Sequence, residues 1–192
     1  KKILSLSLDD YYLTKKQRTT LSKKIHPLLI TRGVPGTHDI KKLLKHVRCF
    51  DRSIYPINIP IFDKINDDRL TKVKEIKTKA DILILEGWCC ASSAVQNSFL
   101  KKNINQIEKI FDRDLRWRNY YNQQLQNQYA KLFKKFDNII YLKAPSFSYI
   151  QKWRLKQEKM ISKRNNHFNY MKKKQILEFI QHYEKITKWM MK

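Results

Sequence analysis

Glycine is scarce in this chain, with three in 192 residues: Gly33, Gly36 and Gly87. A glycine-rich phosphate loop of the GxxxxGK[ST] kind has no place here, because no glycine precedes Gly33. Cysteine is as sparse. Cys49, Cys89 and Cys90 make no CxxC pair and no even set, which excludes a disulfide framework and fits reduced thiols in a cytoplasmic protein. Long apolar runs are absent too: the longest purely aliphatic stretch, Ile82 to Leu85, is far too short to span a bilayer. Lys1-Lys2 is followed by only a strand-length apolar stretch without a small-residue cleavage site, so no signal peptide is read. The last shortage is negative charge. Seventeen acidic residues face 41 basic ones, a net of +24.

What remains suffices for a folded chain. Hydrophobic content of 42% and charged content of 30% place it among globular proteins, and its length fits one domain over residues 1–192. A net of +24 has two readings, a nucleic-acid surface or lysine drift at solvated helix positions. The lysines are scattered through nearly every segment and no nucleic-acid motif accompanies them, so drift is preferred and nucleic acid is not expected as a partner. A basic cleft still suits phosphates and carboxylates. Initiator Met is normally removed only before a small residue, which Lys1 is not; the chain is therefore expected to begin inside a longer protein.

Strands alternating with helices predict an α/β layered fold. Residues 3–8 read as a buried strand. Thr14 is placed to cap a short helix through Lys24, ended by Pro27. Thr37 is expected to cap a second helix with Ile40, Leu43, Leu44 and Val47 on one face. Ile57 to Phe62 reads as an edge strand interrupted by Pro60, followed by a polar loop of Asp63, Lys64, Asn66, Asp67, Asp68 and Arg69. Asp81 to Leu85, closed by Glu86 and Gly87, reads as a central parallel strand that is apolar on both faces. Residues 104–136 form a helical stretch, broken near Asp112–Leu115, with Ile107, Ile110, Phe111, Leu125, Tyr129, Leu132 and Phe133 inward. Ile139 to Leu142 is a further strand, and Ser146 then caps a helix carrying Trp153, Arg154 and Lys156. A basic, Asn-rich loop is expected at about 163–169, and a final helix from Met171 turns Ile176, Phe179, Ile180, Tyr183 and Ile186 inward.

Four places carry candidate chemistry. Asp9 and Asp10 follow the first strand, where open α/β sheets bind ligands. A carboxylate there can take a proton from a hydroxyl or organise a metal, although strand-end aspartates are also common as caps. Glu86 ends an aliphatic strand, a pattern that holds Mg²⁺ or its waters in nucleotide-using enzymes; it also fits an ordinary strand end, but Gly87 beside it permits close backbone approach. The loop from His26 to Asp39 gathers Arg32, His38 and Asp39 around Gly33 and Gly36. Arg can grip a carboxylate with two bonds, and the bland alternative is a tight turn into a capped helix. Arg154 and Lys156 share one side of a helix that can swing over a transferring phosphate, but their spacing fits a solvated basic helix better.

The ordered set LSLDDYYLT, HPLLITRGVPGTHD, IPIFDKINDDR, DILILEGWCCA, WRNYYNQQL, LKAPSFSYIQKWRLKQE and FIQHYEKIT resembles the D-glycerate 3-kinase family over nearly the whole chain. That family lies within the P-loop kinases that include pantothenate kinase, uridine kinase and phosphoribulokinase. The resemblance implies a P-loop NTPase-like fold, a three-layer parallel sheet with flanking helices, here without its first strand and phosphate loop. It implies phosphorylation of D-glycerate by ATP with Mg²⁺. Asp9 stands where the family has its general base. Tyr12, Arg32, His38 and Asp39 stand in the acceptor pocket, with Arg32 on the glycerate carboxylate and Asp63, Lys64 and Arg69 as weaker candidates. Glu86, with Asp9, stands near the metal, and Arg154 stands in the lid over the phosphates. With no phosphate loop in the chain, the 192 residues alone are expected to have little kinase activity. Rival readings are a P-loop kinase for a pantothenate- or nucleoside-like acceptor, a basic nucleic-acid binder, and a gene remnant.

Overall fold

The computed structural model describes residues 1–164 and 171–192. They divide into two compact units, Lys1–Ala94 with Arg116–Ile139, and Val95–Leu115 with Ile140–Lys192. Helices surround a parallel strand pair, the α/β arrangement that the alternating pattern predicts.

The first unit is built on β1 (Ile3–Ser7) and β4 (Ile82–Glu86). These run parallel in register, with Ser7 opposite Glu86. Alternation along β1 buries Leu4 and Leu6 and turns Ile3 and Ser5 outward. β4 departs from the sequence expectation. It hydrogen-bonds to β1 alone among the described residues; Leu83 and Leu85 on one face are half-buried, and Ile82 and Ile84 on the other remain 39% and 45% exposed. Gly87 follows because a Cβ there would lie 2.6 Å from Leu8 Cβ. The close approach is to the protein's own core rather than to a ligand.

Thr14 caps α1 (Lys15–Lys24) in a reciprocal box with Gln17, and Pro27 opens a 3₁₀ turn, Pro27–Ile30. The cap of α2 (Ile40–Asp51) is Asp39, whose Oδ1 accepts from Lys42 N–H at 3.0 Å. Thr37 was the expected cap, but its hydroxyl is already engaged, accepting from Gly33 N–H at 3.0 Å and donating to Val34 C=O at 2.7 Å. Ile40, Leu43 and Val47 form the buried face of α2.

The polar loop expected after Phe62 is the tip of a hairpin. β2 (Ile57–Asp63) turns directly into β3 (Asp68–Ile76), and the two pair antiparallel with a register shift between Pro60 and Phe62. Proline lacks the N–H that a regular ladder needs, so the irregularity falls beside it. The unit is completed by α5 (Arg116–Gln124), a π-helical turn (Leu125–Tyr129) and α6 (Ala130–Phe133). Trp117, Tyr121, Leu125, Tyr129 and Leu132 are buried along this stretch.

The second unit is helical: α3 (Asn97–Lys101), α4 (Gln106–Phe111), α7 (Phe147–Arg164) and α8 (Lys173–Met190). Lys185 is its buried cation. The ammonium donates to the carbonyls of Phe99 at 2.8 Å and Lys102 at 2.6 Å, and pairs with Glu108 at 3.3 Å. Ile176, Ile180 and Ile186 are buried as the helical period predicts. Ile110 and Phe111, expected inward, are 49% and 61% exposed because α4 ends after six residues and the chain turns away. Ile139 to Leu142 is not a strand, with Ile140 and Leu142 88% and 89% exposed. A strand exists only by pairing, and this segment pairs with no other described segment. Of the expected Asn-rich loop, residues 165–169 lie outside the described residues, and α7 runs to Arg164. Among the described residues no helix is long and apolar enough to cross a membrane.

Candidate active site

After Ser7 the chain leaves β1 through a 3₁₀ turn, Leu8–Tyr11, pinned by the buried side chains of Leu8 and Tyr11. This turn separates the two aspartates. Asp9 Oδ2 receives the Lys64 ammonium at 2.6 Å, and the Tyr12 hydroxyl also donates to its carboxylate. Burial pushes the Asp9 carboxyl up, but the Lys64 hydrogen bond and charge outweigh it, with smaller help from His38 and Tyr12, so the group sits below the usual carboxylate range. Asp10 instead accepts from Phe62 N–H at 3.4 Å; burial pushes its carboxyl up, and the neighbouring Asp9 charge adds to that rise. Asp10 thus ties the turn to β2, while Asp9 faces Lys64 of the hairpin tip.

Residues 11–13 then pair with 37–39. Asp39 N–H donates to Tyr11 C=O at 2.7 Å, and Leu13 N–H to Thr37 C=O at 2.8 Å, around a Tyr12–His38 bridge. The sequence segments DDYYLT and GTHD are therefore one structure. The Tyr12 ring stacks on His38 with centroids 4.4 Å apart and meets Phe62 edge-on. Burial lowers the His38 pKa to about 3, so its imidazole is neutral. Gly36 has φ +96°, and a Cβ there would lie 2.5 Å from Tyr120 Cε1, so glycine is needed both for the turn and for the close approach.

The hairpin tip supplies the remaining groups. Asp67 holds both Arg18 (2.9 Å) and Arg32, and both guanidinium groups lie over the Phe62 ring at 5.9 and 5.5 Å. Arg32 also reaches Lys64 C=O at 3.5 Å. Asp63 accepts from Ile65 N–H, Asn66 N–H and the Asn66 amide, which shapes the tip; the Asn66 side chain is the main cause holding its carboxyl low. Arg69 donates to Tyr12 C=O at 2.7 Å and pairs with Asp39 at 3.4 Å.

Thus Asp9, Tyr12, Arg32, His38 and Lys64 come together through direct contacts, while Asp39, Asp63 and Arg69 brace the loops that carry them. Glu86 ends β4 opposite Ser7, two residues before Asp9. Arg154 lies on α7 in the second unit, paired with Glu158 at 3.0 Å and donating to Gln157 at 2.9 Å. Sequence reading missed Arg18, Asp67 and Tyr129. Arg18 is fully buried yet sits in a basic, uniformly polar stretch, so no sequence signal marks it.

No protein-family model matches the chain. Among curated proteins it is 29% identical to the uncharacterized kinase mug58 of Schizosaccharomyces pombe, over 94% of this chain and 67% of that protein. It is 33% identical to the probable ATP-dependent kinase TDA10 of Saccharomyces cerevisiae, over 59% of this chain and 45% of that protein. It is 25% identical to the chloroplastic D-glycerate 3-kinase of Arabidopsis thaliana, over 95% and 40%. Among solved structures, D-glycerate 3-kinase from Cryptococcus neoformans superposes with a TM-score of 0.79 at 29% identity, covering 96% of this chain and 68% of that one. The chain is thus similar to kinases, D-glycerate 3-kinases among them. It spans between 40% and 67% of the length of these curated relatives.

Kinase reactions use a nucleotide and a metal, and the residues present fit the two differently. Asp9 and Glu86 offer the hard oxygen donors that Mg²⁺ prefers, on neighbouring strand ends. Among the described residues they belong to no cluster of three or more metal-binding side chains. The three glycines do not fit the phosphates of ATP. A side chain at Gly36 or Gly87 would meet packed protein at 2.5 or 2.6 Å, and Gly33 N–H is bonded to Thr37, so none opens as a cradle of free amides.

Proposed function

We propose that this chain is the acceptor-binding body of a small-molecule kinase whose acceptor is D-glycerate. The observation that carries this reading is Asp9, a carboxylate held ionised at the end of β1 and enclosed by Lys64, Tyr12 and the His38 loop. An ionised carboxylate within reach of a bound hydroxyl can take its proton as that oxygen forms a bond to phosphorus. Lys64 keeps the carboxylate charged. Arg32 brings a planar fork to the same hairpin tip, suited to a carboxylate of the acceptor. The kinship with D-glycerate 3-kinases supports the choice of acceptor. The phosphate donor is ATP by the same kinship, with Asp9 and Glu86 as the residues that would hold Mg²⁺.

The test separates acceptor from donor. D-glycerate, pantothenate and uridine are titrated into the chain by calorimetry, with no nucleotide present. D-glycerate is expected to bind, and Arg32→Met to weaken it at least about tenfold, the loss of a charge-assisted pair. Heat from pantothenate or uridine alone would reassign the acceptor. The full-length gene product is then assayed with ATP and Mg²⁺, where Asp9→Asn should lower kcat by about 10² to 10⁴.

A further inference from the structure

We propose that Tyr129 is a positioning residue that fixes His38 as an Nε2–H hydrogen-bond donor beside Asp9; the role at the acceptor rests on the glycerate-pocket reading above. Tyr129 lies 91 residues from His38 in sequence and is fully buried. Its hydroxyl oxygen accepts Gly36 N–H at 3.0 Å. His38 Nδ1 lies 2.6 Å from the same hydroxyl, and a phenol whose oxygen already accepts from a backbone amide is placed to give its one proton to that nitrogen. A neutral imidazole with Nδ1 accepting must carry its proton on Nε2. That nitrogen is then the donor of the ring. A half-turn of the ring would bring Cδ2 rather than Nδ1 to the Tyr129 hydroxyl and lose that bond, and Tyr12 stacked on its face and Tyr129 edge-on at 5.9 Å hold it in place.

Tyr129 closes the π-helical turn Leu125–Tyr129. Such a turn is rare within a helix and recurs at functional sites. One hydroxyl therefore holds two features of the loop, the backbone at Gly36 and the imidazole at His38. Through Nε2–H the loop that pairs with the Asp9 turn offers one donor, and an acceptor hydroxyl or carboxylate is an oxygen that could take it.

Nitrogen NMR of the chain labelled with ¹⁵N-histidine tests the assignment directly. Wild type should show His38 with an unprotonated Nδ1 and a protonated Nε2, and Tyr129→Phe should convert it to a mixture of tautomers while circular dichroism stays unchanged. A protonated Nδ1 in the wild type overturns the proposal, whether or not the variant folds. An unchanged tautomer in a folded Tyr129→Phe overturns it as well. Both readouts need no substrate, so they stand apart from the kinase reading. In calorimetry, Tyr129→Phe should weaken D-glycerate binding about five- to tenfold; a shifted tautomer with undiminished glycerate binding would overturn the role at the acceptor.

Discussion

Burial by itself would raise the Asp9 carboxyl, and Lys64 at 2.6 Å reverses the direction. Removing that ammonium should therefore reverse it again. In Lys64→Met the Asp9 pKa is expected to rise above its wild-type value by a unit or more, read by carbon NMR titration of the carboxyl. An unmoved titration would show that Lys64 is not the controlling charge. Burial acts on the histidines in the opposite direction. Burial lowers His46 to about 4 and His38 to about 3, below the ordinary 6.5 that the unfolded chain regains. Between these values the unfolded state binds more protons than the folded one, so stability falls as pH drops from about 6.5 toward 4. Urea midpoints taken across that range should decline, and His46→Gln should flatten the decline; a midpoint independent of pH would contradict the burial of both rings. At this scale Asp9, Tyr12, Arg32 and His38 were legible because each sits in a short, unusual run of chemistry-bearing residues. Asp67 and Tyr129 were not, since their roles exist only through contacts 35 to 93 residues away.

Among the elements, the hairpin tip and α1 are joined through Arg18. Its guanidinium donates to the carbonyls of Leu13, Ile30 and Asp67 and pairs with the Asp67 side chain, all without exposure to solvent. Arg18→Met strands those acceptors, and unfolding in urea should show a loss of about 3 kcal/mol. A loss under about 1 kcal/mol would mean that Asp67 is held adequately by Arg32 alone. The hairpin itself escaped sequence reading for a physical reason: β3 is largely exposed on both faces, so it shows none of the alternation that burial writes into a strand. Ile139 to Leu142 shows the converse, a strand-like composition that remains extended chain without a partner. Helix caps were legible where the hydroxyl was unengaged, as at Thr14, and misplaced at Thr37, whose hydroxyl is drawn into the glycine loop.

For the whole molecule, the excess of 24 positive charges sets how it responds to salt. Like charges spread over nearly every segment repel in the folded state, and added salt screens them. The melting temperature should rise between 20 and 300 mM KCl; a fall would show that ion pairs such as Arg18–Asp67 outweigh the repulsion. The same screening acts between molecules. β1 and β4 form a sheet of two strands with outer edges unpaired among the described residues, and Ile3, Ile82 and Ile84 stand on its uncovered side. Open edges of this kind are templates for joining another chain. At low salt, mutual repulsion keeps two such edges from meeting. At high salt each molecule holds its shape better and its neighbours come closer, so the conditions that steady a single copy are those in which a concentrated solution turns cloudy.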